Sequence, residues 1–350
     1  MAHLAPRIAA LLERPRRPTR GLLRLGEREL ILAAAGPRAA EAWAFLEGFS
    51  AEAARMWVSG ASVSARCLHA DGYPAGLASL DDPPAVLYSL GEGDLGRVDE
   101  EPAVAVVGSR RASPYGLDLA YSLGRGLGAA GLPVVSGLAL GVDAAAHRGC
   151  IDGDGMPLAV LACGPDLAYP RRNRRLHQRV RETGLVLSEM PPATRPFRWA
   201  FPARNRLMAG LARMTVVVEA AERSGSLITA EFAQDLGRTV GAVPGRVTSR
   251  TAAGANRLLQ DGARVVVGAQ DVLDELFGVG ARLAREPERP SVAPELRRVL
   301  DAVEGGADVQ SIAAACGLSA RDVRIALARL EAEGHVRRGA LGGYERAMSR

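Results

Sequence analysis

The run Ala103-Val104-Ala105-Val106-Val107-Gly108-Ser109-Arg110-Arg111-Ala112-Ser113-Pro114 decides how this chain is read. An uninterrupted apolar stretch of this length is the pattern of a strand buried on both faces. A glycine turn follows, and Ser113-Pro114 then makes a helix start, with a capping hydroxyl before a proline that needs no N–H donor. The same device recurs along the chain. Apolar runs at 132–137, 156–164, 184–190, 214–220 and 238–245 are separated by helical segments, among them one over 114–131 and one opening near Val142. Buried strands alternating with helices predict an α/β fold with a Rossmann-like, doubly wound parallel sheet over residues 75–278.

Outside that block the composition shifts. Residues 1–70 are rich in Ala, Leu and Arg, and the spacing predicts short helices over 27–35 and 39–49, a helical N-terminal module. Residues 279–293 combine Arg, Glu and Pro and read as a linker. Residues 294–347 carry three helical patterns and a hairpin pattern, the order of a C-terminal winged helix, with Gly317 ending one helix and Ser319 capping the next.

The 350 residues include 44 basic ones, and every one is arginine. Without lysine there is no Schiff-base chemistry and no P-loop lysine, so a phosphate must be met by arginine, hydroxyls or backbone N–H groups. Net charge is +5, a mild pull toward an acidic partner. The four cysteines, Cys67, Cys150, Cys163 and Cys316, fit no metal spacing and suggest a reducing compartment. No signal peptide and no membrane-spanning run is evident, so a cytoplasmic protein without membrane contact is expected, with no cofactor and no metal.

Three glycine- or serine-rich turns follow strands. The first is Gly108-Ser109-Arg110. It offers a tight turn, a helix N-terminus and a bidentate phosphate donor, but it lacks the G-x-G-x-x-G pattern of dinucleotide sites. The second runs from Ser136-Gly137 to Gly141-Val142-Asp143 and leads to His147. Asp143 and His147 are spaced as an acid/base pair on one helix face, or as a bond pinning the helix to the sheet. The third is Ser224-Gly225-Ser226, a helix cap or a phosphate cradle. Between the second and third, residues 171–213 hold 11 Arg against Glu182 and Glu189 only. Inside that span Phe197, Arg198, Trp199 and Phe201 alternate ring and guanidinium before Arg204-Asn205-Arg206. Rings stack on unpaired bases while arginine neutralises phosphates, a combination that suits single-stranded nucleic acid.

These stretches, AVVGSRRASPYG, VVSGLALGVDAAAH, AVLACGPDLAYP, FPARNRLMAGL, VVVEAAERSGSLITA and AVPG, resemble in order and spacing the DNA-processing protein A (DprA/Smf) family. The helical N-terminal region, of the SAM or helix-hairpin-helix kind, and the winged helix look like the appended domains of many members. The resemblance implies a non-enzymatic protein that binds single-stranded DNA, protects incoming strands in natural transformation and loads the RecA recombinase. It also implies a homodimer through the Rossmann-like domain. Carried onto this sequence, the DNA contacts would be Gly108, Ser109, Arg110, Gly137, Arg198, Phe201, Arg204, Asn205 and Arg206, with Ser224, Gly225 and Ser226 nearby. Leu140 departs from the pattern, since many members carry Arg there.

Two other readings are open at this stage. A Rossmann-like nucleotide phosphoribohydrolase would use the serine turn with Glu231 close behind it. A winged-helix transcription regulator would read duplex DNA, but the charge of 292–350, nine Arg against eight acidic residues, is nearly balanced.

Overall fold

Val104–Val107, four residues without a polar side chain, form the central strand of the sheet and are all buried. Val104 and Val106 face one layer of the core and Ala105 and Val107 the other, which is why the run is continuous rather than alternating. The computed structural model describes residues 27–284, 292–303, 308–333, 335–339 and 343–346.

The strands of the main sheet are β1 (Ser64–Cys67), β2 (Val86–Leu90), β3 (Val104–Val107), β4 (Val134–Ser136), β5 (Pro157–Val160), β6 (Leu185–Ser188), β7 (Met214–Val217), β8 (Thr239–Ala242) and β9 (Arg264–Val265). Their order is β1-β2-β6-β5-β4-β3-β7-β8-β9. From β6 to β9 every pairing is parallel. β2 joins both β1 and β6 antiparallel. The expected doubly wound α/β sheet is therefore present, with an antiparallel extension at one edge. The boundary expected near residue 70 falls inside this sheet, because β1 pairs with β2 along its whole length.

The helices, numbered from those of at least two turns, are α1 (Glu27–Ala35), α2 (Ala39–Glu47), α3 (Ala51–Gly60), α4 (Pro114–Ala129), α5 (Val142–Asp152), α6 (Arg174–Thr183), α7 (Ala200–Leu211), α8 (Gly225–Asp235), α9 (Ala253–Gln260) and α10 (Ala269–Phe277). α4 starts where the sequence places it, with the Ser113 hydroxyl accepting from Gly116 N at 3.1 Å. It buries Leu119, Leu123 and Leu127, one stripe at helical spacing. Against α5 the two backbones nearly touch. A Cβ on Gly124 would collide with the Ala146 carbonyl, and one on Gly149 with the Tyr121 carbonyl. None of these helices is long and apolar enough to cross a membrane.

Strand order reverses at β3, which lies between β4 and β7. Doubly wound sheets open a crevice at the carboxyl ends of their strands at such a point. Here the chain closes that crevice with its own carboxylate. Glu219, just beyond β7 and 5% exposed, accepts from Ser113 N at 2.7 Å and from the Thr251 hydroxyl at 2.8 Å. Its carbonyl also accepts from Ser109 N at 2.6 Å. Glu219→Ala leaves the part-buried Ser113 N–H without its acceptor and the Thr251 hydroxyl with Ser249 alone, and should cost about 1–3 kcal/mol. Glu219→Gln keeps both bonds, because the amide oxygen can face Ser113 N while its NH₂ donates to the Thr251 hydroxyl. Urea unfolding should therefore rank wild type and Gln together, above Ala. A Gln variant as weak as Ala would mean that the charge, not the shape, holds the crevice shut.

The expected linker from 279 is in part anchored. Arg282 pairs with Glu101 at 2.8 Å and lies 4.9 Å from the Phe277 ring centroid. Residues 285–291 lie outside the described residues, and Val292 and Ala293 pack on the C-terminal core. That core joins α11 (Pro294–Asp301), α12 (Val309–Cys316), α13 (Ala320–Ala332) and the antiparallel pair β10 (Val336–Arg338) and β11 (Tyr344–Arg346). Gly317 sits in the left-handed region at φ 66° and Ser319 caps α13, as their positions in the sequence predict.

Candidate nucleic-acid interface

The three turns meet on α7, where Phe201, Arg204 and Asn205 each engage one of them. Arg204 Nη1 donates to the Gly137 carbonyl at 3.0 Å and to the Val160 carbonyl, fixing the second turn. Asn205 Nδ2 donates to the Gly225 carbonyl at 3.0 Å, fixing the third. The Arg110 guanidinium lies 5.5 Å from the Phe201 ring centroid, a cation–π contact that brings the first turn to the same helix. The first two turns also touch directly, through Val142 N to the Ser109 carbonyl at 3.2 Å. Gly141, at φ 82°, makes that contact possible, since a Cβ there would strike the Ser109 carbonyl.

This geometry revises part of the expected contact set. Arg204, Asn205 and Arg206 are 5%, 7% and 9% exposed, so they are not free phosphate donors. Arg206 makes a bidentate pair with Glu189 at 3.1 and 2.7 Å, and its Nε lies 3.0 Å from Asp82 Oδ2 with the N–H not aimed at that oxygen. Gly137 is buried and uses both backbone groups, its N–H on Asp143 at 3.1 Å and its carbonyl on Arg204. These four residues position the loops. The Ser109 N–H is likewise taken by Glu219, and its hydroxyl accepts from Arg111 N at 3.1 Å.

What faces solvent is a shorter list. Arg110 and Arg198 are exposed, and Gly108, Ser109, Phe201, Ser224 and Ser226 are half-buried, with Gly225 exposed between the two serines. Ser224 caps α8, and its hydroxyl is 2.8 Å from that of Ser226. Beside Phe201 stands Tyr169, 42% exposed, with ring centroids 5.6 Å apart. Phe197 and Trp199 stack on each other at 6.1 Å, which lowers their availability to a base. The sequence reading misses Glu219, Tyr169 and Asn173. Asn173 donates to the carbonyls of Leu138 and Ala139 at 2.8 and 3.2 Å and ties the second turn to the arginine run. Its one visible signal is a lone amide among four arginines.

Asp143 and His147 do not work as an acid/base pair. The Asp143 carboxylate turns to Gly137 N and Ala139 N, bonds that hold the helix start to the loop. Burial raises its pKa and the Arg204 charge opposes that shift. His147 is fully buried, and neither ring nitrogen has a hydrogen bond of sound geometry, although the Ser136 backbone lies close enough to favour protonation slightly. Burial pushes its pKa down from 6.5 to about 3. Between those values the unfolded chain binds more protons than the folded one. Stability from this residue is therefore full above the unfolded pKa and falls as pH drops toward the folded one, by up to about 1.4 kcal/mol per pH unit. His147→Leu should flatten the fall in urea midpoint between pH 7 and pH 5. Parallel profiles for variant and wild type would refute the assignment. Among the described residues no group of three His, Cys, Asp or Glu side chains could hold a metal.

The fold and its edge define a class, a doubly wound α/β protein whose switch-point crevice is sealed from within and whose outer rim carries arginines and rings. The chain belongs to the DNA recombination-mediator protein A family, whose model matches residues 64–277. It is 43% identical over 258 residues to a DNA processing protein DprA of Mycobacterium tuberculosis, an alignment that spans 72% of this chain and 66% of that relative. It is 43% identical over 205 residues to DprA of Streptococcus pneumoniae, covering 59% and 71%. The X-ray structure of the S. pneumoniae protein superposes with TM-score 0.63 at 33% identity, covering 79% of this chain and 93% of that one. A Helicobacter pylori DprA structure, described for its single-stranded DNA binding mode, gives TM-score 0.55 at 30% identity, covering 61% and 95%.

Proposed function

We propose that this protein binds single-stranded DNA along the carboxyl edge of its sheet and acts as a recombination mediator. One observation carries the reading: exposed Arg110, half-buried Phe201 and exposed Tyr169 follow one another, cation to ring to ring, at 5.5 and 5.6 Å. Such a row neutralises phosphates and stacks bases without selecting sequence. The Helicobacter relative described by its single-stranded DNA binding mode supports the ligand class. Protection of incoming strands in natural transformation, loading of RecA and a homodimer through the Rossmann-like domain belong to the same proposal, of which the family description supports the recombination-mediator role.

The reading is non-catalytic, because Asp143 and Glu219 are engaged in holding the loops and crevice and His147 is fully buried, none of them facing the rim. That counts against the phosphoribohydrolase. The domain division proposed is a helical N-terminal module, the Rossmann-like domain, a linker and a C-terminal winged helix. On α13, Arg321, Arg324 and Arg329 are exposed around Ile325, itself 53% exposed. This face is the one observation that favours an accessory role in duplex or protein contact.

Fluorescence anisotropy with labelled oligo-dT and the matching duplex, at about 50 and about 200 mM salt, tests the reading. Preference for the single strand, weakened by salt and by Arg110→Ala, is expected. Stronger duplex binding that ignores Arg110→Ala would overturn it and move the DNA site to the C-terminal unit.

A further inference from the structure

An open groove of about 1410 Å³ shares Tyr169 with the Arg110–Phe201–Tyr169 row but is lined by neither Arg110 nor Phe201. Small-ligand sites run to about 300–1,000 Å³, so the groove is large for a nucleotide and suited to something longer. Tyr169, Arg171, Arg174, Arg175, Arg181 and Arg195 line it, and all five arginines are exposed. Helix α6 arranges most of this charge. It buries Leu176, His177 and Val180 and so turns Arg174, Arg175 and Arg181 outward over ten residues, about 15 Å. Arg179, one turn beyond Arg175, is the one arginine of this helix that pairs with a carboxylate, Asp152 at 2.7 Å, and it does not line the groove. Among the described residues none of the five groove arginines forms an ion pair.

Carboxylates also border the groove, but two are already engaged. Asp166 accepts from Ala193 N at 2.9 and 3.0 Å, and Glu182 from Gln178 Nε2 at 2.9 Å. Glu92 is the third. Five cations therefore face three anions, in a trough that begins at the ring closing the Arg110–Phe201–Tyr169 row.

We propose that this groove carries a second stretch of the same DNA strand, so that Tyr169 is the joint between a stacking platform and an arginine-lined exit track. The inference rests on the single-stranded DNA reading above and adds a direction to it. The strand passes from the Gly108-Ser109-Arg110 turn over Phe201 and Tyr169 and then along α6. A short strand fills the platform alone, and a long one engages both.

The test compares wild type with the triple variant Arg174→Ala/Arg175→Ala/Arg181→Ala on oligo-dT of about 6 and about 24 nucleotides, one near the short end of typical single-strand sites and one beyond their long end. All three side chains are exposed, so the thermal midpoint should stay at the wild-type value. For the long strand, affinity should drop about tenfold or more and the salt slope by about 2, the value for three lost phosphate contacts. For the short strand both should stay within about twofold, while Arg110→Ala weakens both lengths. Equal losses at both lengths would show a diffuse field rather than a track and overturn the proposal, as would no loss at either. Wild type that binds neither length would sink the single-strand reading itself. Wild type that binds both, with the triple variant indistinguishable from it, would sink the groove alone.

Discussion

Arg204→Ala should unfold the sheet edge before it can be said to weaken binding. The guanidinium is buried among backbone carbonyls from the second turn and from the end of β5, with Asp143 on the opposite side of the Gly137 peptide. Burial pulls its pKa down to about 10, against the supporting charge of Asp143. Removing it takes away the main counter-charge of buried Asp143 and the guanidinium donor of the Gly137 and Val160 carbonyls. Losing one partner of a buried charged set costs about 3–5 kcal/mol. In a domain of this size that lowers the thermal midpoint by roughly 6–20 °C. Arg204→Lys should recover only part of it, since an ammonium lacks the planar fork. A DNA-binding defect at wild-type midpoint would show instead that Arg204 reaches the ligand.

Phe201→Ala is expected to have the largest effect on binding with the smallest on the fold. The ring is half-buried, under Arg110 and beside Tyr169. Loss of a stacked base contact costs about 1–3 kcal/mol, which is about 5- to 150-fold in Kd. The signature is in the salt dependence. Phe201→Ala should lower affinity at every salt concentration with an unchanged slope, whereas Arg110→Ala should reduce the slope by about 0.7. Phe201→Trp should bind as wild type. If Phe201→Ala flattened the salt slope as Arg110→Ala does, the ring would be acting only by orienting the arginine.

Strands β3 to β8 were readable because parallel strands covered on both faces leave unbroken apolar runs. β1 shows mostly exposed residues and β9 spans two, so neither leaves a pattern. α7 is obscured for a more instructive reason. It carries Pro202 in its first turn and buries Arg204, Asn205 and Arg206, charged and polar residues where a binary pattern demands apolar ones. The concentration of arginine was legible, but not which arginines face water. Arg204 is held by carbonyls 67 and 44 residues away, contacts no local pattern reveals. Glu219 was visible as an acid at the end of an apolar strand, yet its significance depends on strand order, which brings it to Ser113, 106 residues away.

The internal carboxylate at the strand-order reversal has a kinetic consequence. In doubly wound proteins that bind dinucleotides, the ligand spans the crevice at this point. Here Glu219 stands there, holding Ser109, Ser113 and Thr251 at once. On the single-stranded DNA reading proposed above, a rim held in this way is expected to capture a strand without a slow closure after encounter. Association should follow a single phase, linear in DNA concentration, with a rate governed by charge steering alone. Affinity among related strands would then be tuned in how long each one stays.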